Sequence, residues 1–475
     1  MKWAILLMYA AGGLVLWLLM LLLGYIDPES LGAAPLVALP LFVAGAFGAA
    51  VSAEPRRFGL MAYFLASVFL FFCINIALWP IASQSPYEFF SLVHLVIDTT
   101  LLSHVASLLG VSVSLTLLAY TLSIGRGPTQ PPIAAPGPEP ILHRDMRRLG
   151  LGMMIVALPF VCYRLYVEYT YVLDAGYAAI YTEGGVGAGA GNPLLTLFNY
   201  LFYTGFGLIC AFGRQRRTFR LAMGMFLVAA LLDGIKGGRG TVIVPFLFCW
   251  WFYSSYFQLR IKPRALLLSG LLVLAVFLGL TVARDADNSV ESSVAQFAID
   301  ALAAQGRSLQ TTAVYLMEQD EVRKYGKFMV SSNLMLPINV FIHPELRADP
   351  QSLEQVLYSN NLKHVLTYTL SPDYYFAGGG TGGVYLIELI EAGFIIFVAL
   401  SLGLGWFLAR VPDWMRMTWF RFVSLQIFAV VFYMPRGELF PNMLIFGKSC
   451  LIFLALVALV RLVSLAQVNT RPGIR

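Results

Sequence analysis

Residues 3–24 read W-A-I-L-L-M-Y-A-A-G-G-L-V-L-W-L-L-M-L-L-L-G and contain no charged side chain. A run of about 20 apolar residues is long enough to cross the hydrocarbon core of a bilayer as an α-helix. Comparable runs recur along the 475 residues, of which 59 % are hydrophobic and only 12 % are charged. These features predict an all-α polytopic membrane protein with about twelve transmembrane helices and one long outer loop that contains short helices.

The predicted spans are distributed along the whole chain. Apolar runs between polar or basic segments place them at residues 3–24, 32–53, 60–81, 101–123, 149–166, 193–212, 221–232, 241–259, 265–283, 384–408, 422–434 and 442–463. The spans that end at residues 232 and 434 are short for a bilayer, and both stop at basic loops. We therefore expect polar backbone that lines a cavity at these two points.

The basic residues of the connecting loops predict the orientation. They concentrate in every second loop, as the positive-inside rule describes for cytoplasmic loops. We therefore expect both termini in the cytoplasm, and we attribute the net charge of +6 to topology rather than to nucleic-acid binding. The basic residues of these loops are Arg56, Arg57, Arg126, Arg144, Arg147, Arg148, Arg214, Arg216, Arg217, Arg220, Arg260, Lys262, Arg264, Arg410, Arg416 and Arg421.

The first span is the one candidate for a signal peptide. Its apolar core is long, and no persuasive small-residue cleavage site precedes Asp27. We therefore expect an uncleaved membrane anchor.

The polar segments divide the chain into five parts. We predict helices one to four in residues 1–124, a cytoplasmic Pro/Gly-rich linker in 125–148, helices five to nine in 149–283, a large periplasmic loop in 284–383, and helices ten to twelve with a cytoplasmic tail in 384–475. An outer loop is also expected over residues 166–192. Within the large loop, apolar spacing predicts a helix over residues 293–319 with a break at Gly306, and another over 351–366.

Five basic residues lie where the charge pattern predicts the opposite, non-cytoplasmic face. They are Lys236 and Arg239 in D-G-I-K-G-G-R-G, Arg284 in A-R-D-A-D, Arg307 in Q-G-R-S, and Arg436 in M-P-R-G-E. Cations are costly at membrane depth, so such a set favours a bound anion, and arginine suits phosphate because its guanidinium forms two parallel hydrogen bonds. The alternative is that each side chain reaches anionic lipid headgroups or pairs with a nearby acid.

Two glycine-rich stretches carry a family resemblance. Residues 376–393, F-A-G-G-G-T-G-G-V-Y-L-I-E-L-I-E-A-G, resemble the glycine-rich start of a late span in bacterial oligosaccharide repeat-unit polymerases, and so does G-G-R-G at 237–240. The span number, the long late loop and the arginines of the outer loops resemble the Wzy-type O-antigen polymerases. The resemblance covers most of the chain in architecture and about thirty residues in motif.

The resemblance implies an inverting membrane glycosyltransferase of the GT-C type in the bacterial inner membrane, with its active site facing the periplasm. Its substrates would be oligosaccharide repeat units on undecaprenyl diphosphate, and its partners would include membrane lipids and a polysaccharide chain-length regulator. The growing glycan would leave its lipid diphosphate and join the non-reducing end of a new lipid-linked unit. Lys236, Arg239, Arg284, Arg307 and Arg436 would then bind the diphosphate, with Arg239 and Arg436 also catalytic.

Such a reaction needs a group that accepts a proton from the attacking hydroxyl. Glu438, two residues after Arg436, is the first choice, and Asp373, His364 and Asp285 are alternatives. Glu388 fits a packing hydrogen bond or an arginine pair equally well.

We expect no metal and no cofactor. Asp285-Ala286-Asp287 is a D-x-D triplet of the kind that binds a metal in many glycosyltransferases, but it directly follows Arg284, and a cluster of cations can replace the metal. The five cysteines lie in apolar spans and form no C-x-x-C pair, which is atypical of a zinc site.

Two other functions remain open at this point. An O-antigen ligase, which transfers glycan to the lipid A core, would have a similar span count and arginine set, and such ligases usually have a loop histidine, for which His343 and His364 qualify. A lipid-oligosaccharide flippase or other transporter is the third possibility. Transporters bind their substrates near the bilayer midplane, whereas the basic residues here gather at one face.

Overall fold

The computed structural model describes residues 2–53, 59–82, 89, 91–124, 141–175, 192–235, 239–257, 275, 279, 294–326, 338–339, 341–347, 351–439 and 443–469. The side chains of residues 239, 294, 443–446 and 463–469 are not part of that description. Of the predicted site residues, Lys236, Arg284 and Asp285 lie outside the described residues.

The first half of the described chain is helical apart from one small hairpin. Its helices are α1 (Lys2–Ile26), α2 (Pro28–Leu31), α3 (Ala34–Ala53), α4 (Leu60–Val68), α5 (Ile74–Leu78), α6 (Thr99–Ile124), α7 (Ile141–Ala175), α8 (Pro193–Phe212), α9 (Arg216–Ile235) and α10 (Arg239–Phe257). A π-helical turn, Phe69–Cys73, joins α4 to α5, and a 3₁₀ turn, Trp79–Ile81, follows α5. Two short antiparallel strands, β1 (Ser91–Leu92) and β2 (Leu95–Val96), precede α6.

The second half combines short helices with three long ones. They are α11 (Val294–Ala303), α12 (Ser308–Met317), α13 (Gln319–Arg323), a 3₁₀ turn (Pro344–Arg347), α14 (Leu353–Tyr358), α15 (Leu362–Leu370), α16 (Pro372–Phe376), α17 (Tyr385–Glu391), α18 (Phe394–Trp414), α19 (Thr418–Tyr433) and α20 (Met443–Asn469).

Nine segments among the described residues are long and apolar enough to cross a membrane. They are α1, α3, the combined segment Leu60–Ile81, α6, α7, α8, α9, α10 and α18. The predicted all-α polytopic membrane fold is therefore confirmed, whereas the count of twelve spans stays a prediction. The predicted ninth span, residues 265–283, lies almost wholly outside the described ranges.

Two predicted spans differ from the structure. The tenth, residues 384–408, is wrong as a single helix, because α17 ends at Glu391 and α18 begins at Phe394. Gly393 between them has φ +79°, a left-handed conformation that an α-helix does not contain and that glycine adopts without a steric penalty. The seventh is not short, because α9 begins at Arg216 and its 20 residues include the basic segment ahead of the apolar run.

α7 is also longer than predicted. Its 35 residues include positions 141–148 of the predicted linker and positions 166–175 of the predicted outer loop. The flanking charged and aromatic residues are compatible with a helix, so the helix extends beyond the apolar run that marks the span. The remaining linker and loop residues are outside the described ranges.

α6 is the centre of the N-terminal half. It packs against α1, α3 and α18, and most of its side chains are buried. Small residues allow its close contact with α18. Gly405 lies against the backbone carbonyl of Thr116, and the hydroxyls of Ser112 and Ser401 are 3.0 Å apart. Close packing of small and hydroxyl side chains is how helices associate where no water is available to drive them together.

α8 and α19 connect the remaining long helices. α8 packs against α7, α9 and α19, and α19 also contacts α4, α10 and α20. α8 begins where its sequence predicts a helix start, because the Asn192 side chain accepts a hydrogen bond from the Leu194 N–H at 3.0 Å and Pro193 occupies the first position. The end of α19 lies beside the start of α10, where Gly240 contacts Tyr433, and beside Phe71 of the π-helical turn. The candidate site lies here.

The loop helices partly follow the prediction. The helical stretch of residues 293–319 forms α11 and α12, and the turn between them contains Gly306, as predicted. The predicted helix over 351–366 is instead two helices, α14 and α15. Asn360 separates them with φ +50°, a conformation that asparagine tolerates better than most side chains.

Candidate functional site

The glycine-rich segment (residues 377–383) packs against the α19 loop (residues 434–439), which follows α19. The Tyr385 N–H donates a hydrogen bond to the Met434 carbonyl at 3.2 Å. A Cβ added to Gly383 would lie 2.8 Å from Cγ of Glu438, so a larger residue would push the two segments apart. Two motifs that are distant in sequence therefore form one surface.

Arg436 is held at this surface with its side chain exposed. Its backbone N–H closes a turn by donating to the Tyr433 carbonyl at 2.8 Å. The guanidinium carbon lies 5.8 Å from the centroid of the Phe71 ring, and Nη1 donates a hydrogen bond to Oε1 of Gln305. A cation over an aromatic ring is attracted by the negative face of the ring. These contacts orient the guanidinium, and its exposure leaves it accessible to an anion.

Gln305 lies in the turn between α11 and α12, which also carries Arg307. A Cβ added to Gly306 would lie 2.5 Å from the backbone nitrogen of Asn75, so this turn sits directly on α5. Arg307 is exposed at the start of α12. The Gln305 contact thus brings the turn that carries Arg307 against the loop that carries Arg436.

Two buried glutamates lie at the α19 loop, one in the loop and one on α17. Glu388 on α17 and Glu438 in the α19 loop are 3 % and 6 % exposed. Glu388 Oε2 accepts a hydrogen bond from the backbone N–H of Leu439. α17 has seven residues and is not a membrane-spanning helix. Burial, and next the charge of Glu438, raise the pKa of Glu388 well above its ordinary value. Glu388 therefore retains its proton where an ordinary carboxyl group is ionised.

The start of α10 lies beside the same surface. Gly240 is in direct contact with the hydroxyl of Tyr433, and no side chain would fit there. The Tyr433 ring stacks on Phe71, with centroids 6.4 Å apart, and Phe71 is the ring below the Arg436 guanidinium. The backbone of Arg239, the first residue of α10, is thus next to the end of α19 that carries Arg436. The side chain of Arg239 is outside the described atoms.

Residues 16–465 match the family O-antigen polysaccharide polymerase Wzy, which is nearly the whole chain. The chain belongs to this Wzy family. It is therefore a membrane polymerase of O-antigen repeat units and acts on lipid-linked units, as the resemblance implied; the ligase and flippase alternatives are not favoured. No curated protein and no solved structure matches the chain.

The structure brings only some of the predicted site residues of this Wzy polymerase together. Arg307, Arg436 and Glu438 lie around one junction, with the backbone of Arg239 next to it. Glu388 joins the group in a role the sequence left open, as a neighbour of Glu438 and an acceptor for the α19 loop.

The loop alternatives to Glu438 have different surroundings. His364 is buried, and its Nδ1 lies 2.9 Å from the Tyr375 hydroxyl, which donates to the Ser352 carbonyl at 3.1 Å. Burial, and next the charge of Lys363, lower the pKa of His364 to about 3, so its imidazole is a weak proton acceptor. Asp373 is exposed in the first turn of α16.

Sequence reasoning missed a polar network centred on Glu391. The buried Glu391 carboxylate accepts hydrogen bonds from the Tyr315 hydroxyl, from Gln319 Nε2 at 2.9 Å and from Arg323 Nε at 3.0 Å. Burial alone would raise the pKa of Glu391, but these donors hold it below its ordinary value. Arg323 itself is exposed, and only the carboxylate that it contacts is buried. The donors are about seventy residues away in the chain, and no local pattern signals such a contact.

In the part of the chain that the structure describes, no three His, Cys, Asp or Glu side chains come together as a group that could bind a metal ion. The D-x-D triplet at 285–287 lies outside those residues. The chemistry available at the described junction is thus that of an exposed cation, a neighbouring exposed arginine and a buried pair of carboxyl groups.

Proposed function

We propose that this Wzy-family polymerase moves the growing glycan from undecaprenyl diphosphate to the non-reducing end of a new lipid-linked repeat unit, as an inverting, metal-independent glycosyltransferase. The observation that supports this best is the junction at the end of α19. There, the exposed Arg436 stands two residues from the buried Glu438. A leaving diphosphate and an attacking hydroxyl need these two kinds of group close together.

Arg436 and Arg307 bind the diphosphate of the donor in this proposal. Negative charge increases on the diphosphate as the glycosidic bond breaks, and cations already in place stabilise it without rearrangement. Each well-placed donor stabilises such a transition state by about 3 kcal/mol. Lys236, Arg239 and Arg284 are assigned to the same group from the sequence pattern, and the position of Gly240 beside Tyr433 supports Arg239.

Glu438 acts as the general base. Because Glu388 retains its proton, the pair carries one negative charge, which we assign to Glu438. Its carboxylate accepts the proton of the acceptor hydroxyl while that oxygen attacks the anomeric carbon and the diphosphate leaves from the opposite side of the sugar. One displacement of this kind inverts the configuration, and no metal ion is required to balance the charge.

The positive-inside pattern supports a periplasmic active site with both termini in the cytoplasm. A polysaccharide chain-length regulator is the protein partner that the family resemblance implies.

Surface glycan length in a deletion strain tests this proposal. The strain would carry wild-type protein, Arg436→Ala, or the control Lys324→Ala, with membrane expression verified for each. Lys324 is a suitable control because it is an exposed cation of the same loop region that pairs with Glu321 at 2.6 Å. We expect Arg436→Ala to reduce the ladder to core plus one repeat unit, and Lys324→Ala to preserve it.

The other outcomes are equally informative. Loss of every repeat, including the first, would point to a ligase or flippase defect. An unchanged ladder in Arg436→Ala would assign this arginine to lipid anchoring and remove the central residue of the proposal.

A further inference from the structure

An apolar groove runs between α18 and α19. It has a volume of about 590 Å³ and extends from Trp414 and Met417 at one end to Met434 and Leu439 at the other. Along α19 its lining spans Phe420 to Met434, which corresponds to roughly 20 Å at the helical rise per residue. The groove therefore covers most of the hydrocarbon thickness of a bilayer, which is about 30 Å.

One end of the groove lies at the α19 loop, which carries Arg436 and Glu438. Met434 and Leu439, which line that end, are the first and last residues of the α19 loop. Arg436 and Glu438 lie between them, and the Leu439 N–H is the donor to Glu388. An apolar groove that ends at the loop carrying an exposed arginine is complementary to a molecule with a long apolar chain and an anionic head.

The side walls of the groove leave room for a chain. Leu400, Leu404 and Phe407 of α18 face Ile427, Val430 and Val431 of α19. Gly403 also lines the groove, and a Cβ added there would meet no heavy atom within 4 Å. The space beside Gly403 is thus open, and a larger side chain at this position would occupy the groove rather than clash with the fold.

We propose that this groove binds the isoprenoid chain of the lipid diphosphate substrate. The diphosphate then lies at the α19 loop, so the membrane-embedded chain fixes where the reacting sugar is presented. The identity of the head group rests on the proposed function, whereas the location of the chain rests on the groove itself. Binding of the chain contributes affinity because its apolar surface is buried against the protein.

Photo-crosslinking to purified protein in nanodiscs tests the location. The probe is a polyprenyl diphosphate with a diazirine in its chain, and the crosslinked peptides are mapped by mass spectrometry. We expect crosslinks on α18 and α19 that excess unlabelled polyprenyl diphosphate suppresses and excess phosphatidylglycerol does not. Equal suppression by phosphatidylglycerol, or crosslinks confined to other helices, would overturn the proposal.

Filling the groove is the second arm of the experiment. Gly403→Leu should weaken labelling about ten-fold, because the leucine side chain would clash with the isoprenoid chain. An overpacking clash costs enough free energy to change binding by about that factor. Gly224→Leu is the matched control, because Gly224 on α9 is also open within 4 Å but does not line the groove. Val430→Trp fills the groove from the opposite wall and should act like Gly403→Leu. Wild-type labelling in both groove variants would overturn the proposal.

The two proposals can fail separately. If labelling maps to the groove while Arg436→Ala still makes a full ladder, the groove stands and the diphosphate site fails. If Arg436→Ala stops polymerisation while labelling maps elsewhere, the groove fails and the diphosphate site stands.

Discussion

The two ends of α19 carry arginines in very different surroundings. Arg421, near the start of the helix, is 5 % exposed. It donates to the carbonyls of Ala211, Met415 and Arg416 at 3.0, 3.0 and 2.9 Å, and its guanidinium carbon lies 5.5 Å from the centroid of the Tyr256 ring.

Arg436, after the end of the helix, also lies over an aromatic ring, but its side chain is exposed. It contacts a glutamine side chain instead of helix-terminal carbonyls.

The difference shows what separates a structural arginine from a candidate binding arginine. Ala211 lies in the last turn of α8, where carbonyls lack partners within the helix, and Arg421 provides donors for them and for the turn after α18. The ring contact is common to both arginines and so does not discriminate between them. The two arginines differ in the exposure of their side chains and in the type of hydrogen-bond partner.

Glu438→Gln should have the largest effect on activity. It tests whether the end of α19 that carries Arg436 also holds the general base. Removing a general base lowers the rate by about 1,000-fold, within the usual range for this type of catalysis. Glu388→Gln should lose about three-fold at most, because glutamine is neutral like the protonated acid and its oxygen can still accept the Leu439 N–H. The measurement is elongation of lipid-linked repeat units by purified protein. Equal losses in the two variants would contradict the assignment of Glu438 as the base.

Arg421→Ala should destabilise the protein by about 3 kcal/mol, because it leaves several buried carbonyls without their donors. The melting temperature of purified protein in detergent measures this. Arg216→Ala is the matched control, since Arg216 lies 5.4 Å from the Phe257 ring centroid but is exposed. A stable Arg421→Ala protein with impaired polymerisation would break the comparison.

Arg436→Ala should lower kcat/KM for elongation by about 100-fold, the loss expected when one donor to a developing charge is removed. Its melting temperature should stay close to that of the wild type, because the side chain is exposed. Arg436→Lys should recover part of the rate, as lysine keeps the charge but not the paired hydrogen bonds. A large drop in melting temperature would instead place Arg436 in the same structural class as Arg421.

Gln305→Ala should have the smallest effect, a loss of about five-fold in kcat/KM, since one hydrogen bond that orients Arg436 is worth about 1 kcal/mol. Combining it with Arg436→Ala in a double-mutant cycle tests whether Gln305 acts through the arginine. Fully additive losses would mean that it acts elsewhere.

The sequence predicted the membrane fold because apolar run length is a local property. It could not predict the break at Gly393, since a glycine within an apolar run is compatible with a continuous helix and only the φ angle reveals the interruption. The sequence also singles out Arg436 and Glu438 from their position beside a short apolar run, and their roles in the reaction stay predictions.

The contacts that hold the arginines of α19 in place could not be predicted from the sequence. Gln305 is 131 residues from Arg436, and the contact depends on how the turn between α11 and α12 seats on α5. Similarly, Arg421 reads as one of many cytoplasmic basic residues, and only the tertiary contact with Ala211 gives it a structural role.

The Glu391 network has a consequence for how the enzyme works over successive additions. Its hydrogen bonds attach α12 and α13 to α17, the helix that also carries Glu388. Separating these helices would leave the buried Glu391 carboxylate without its donors, which is costly. We therefore expect α12, α13 and α17 to stay together while the glycan is extended.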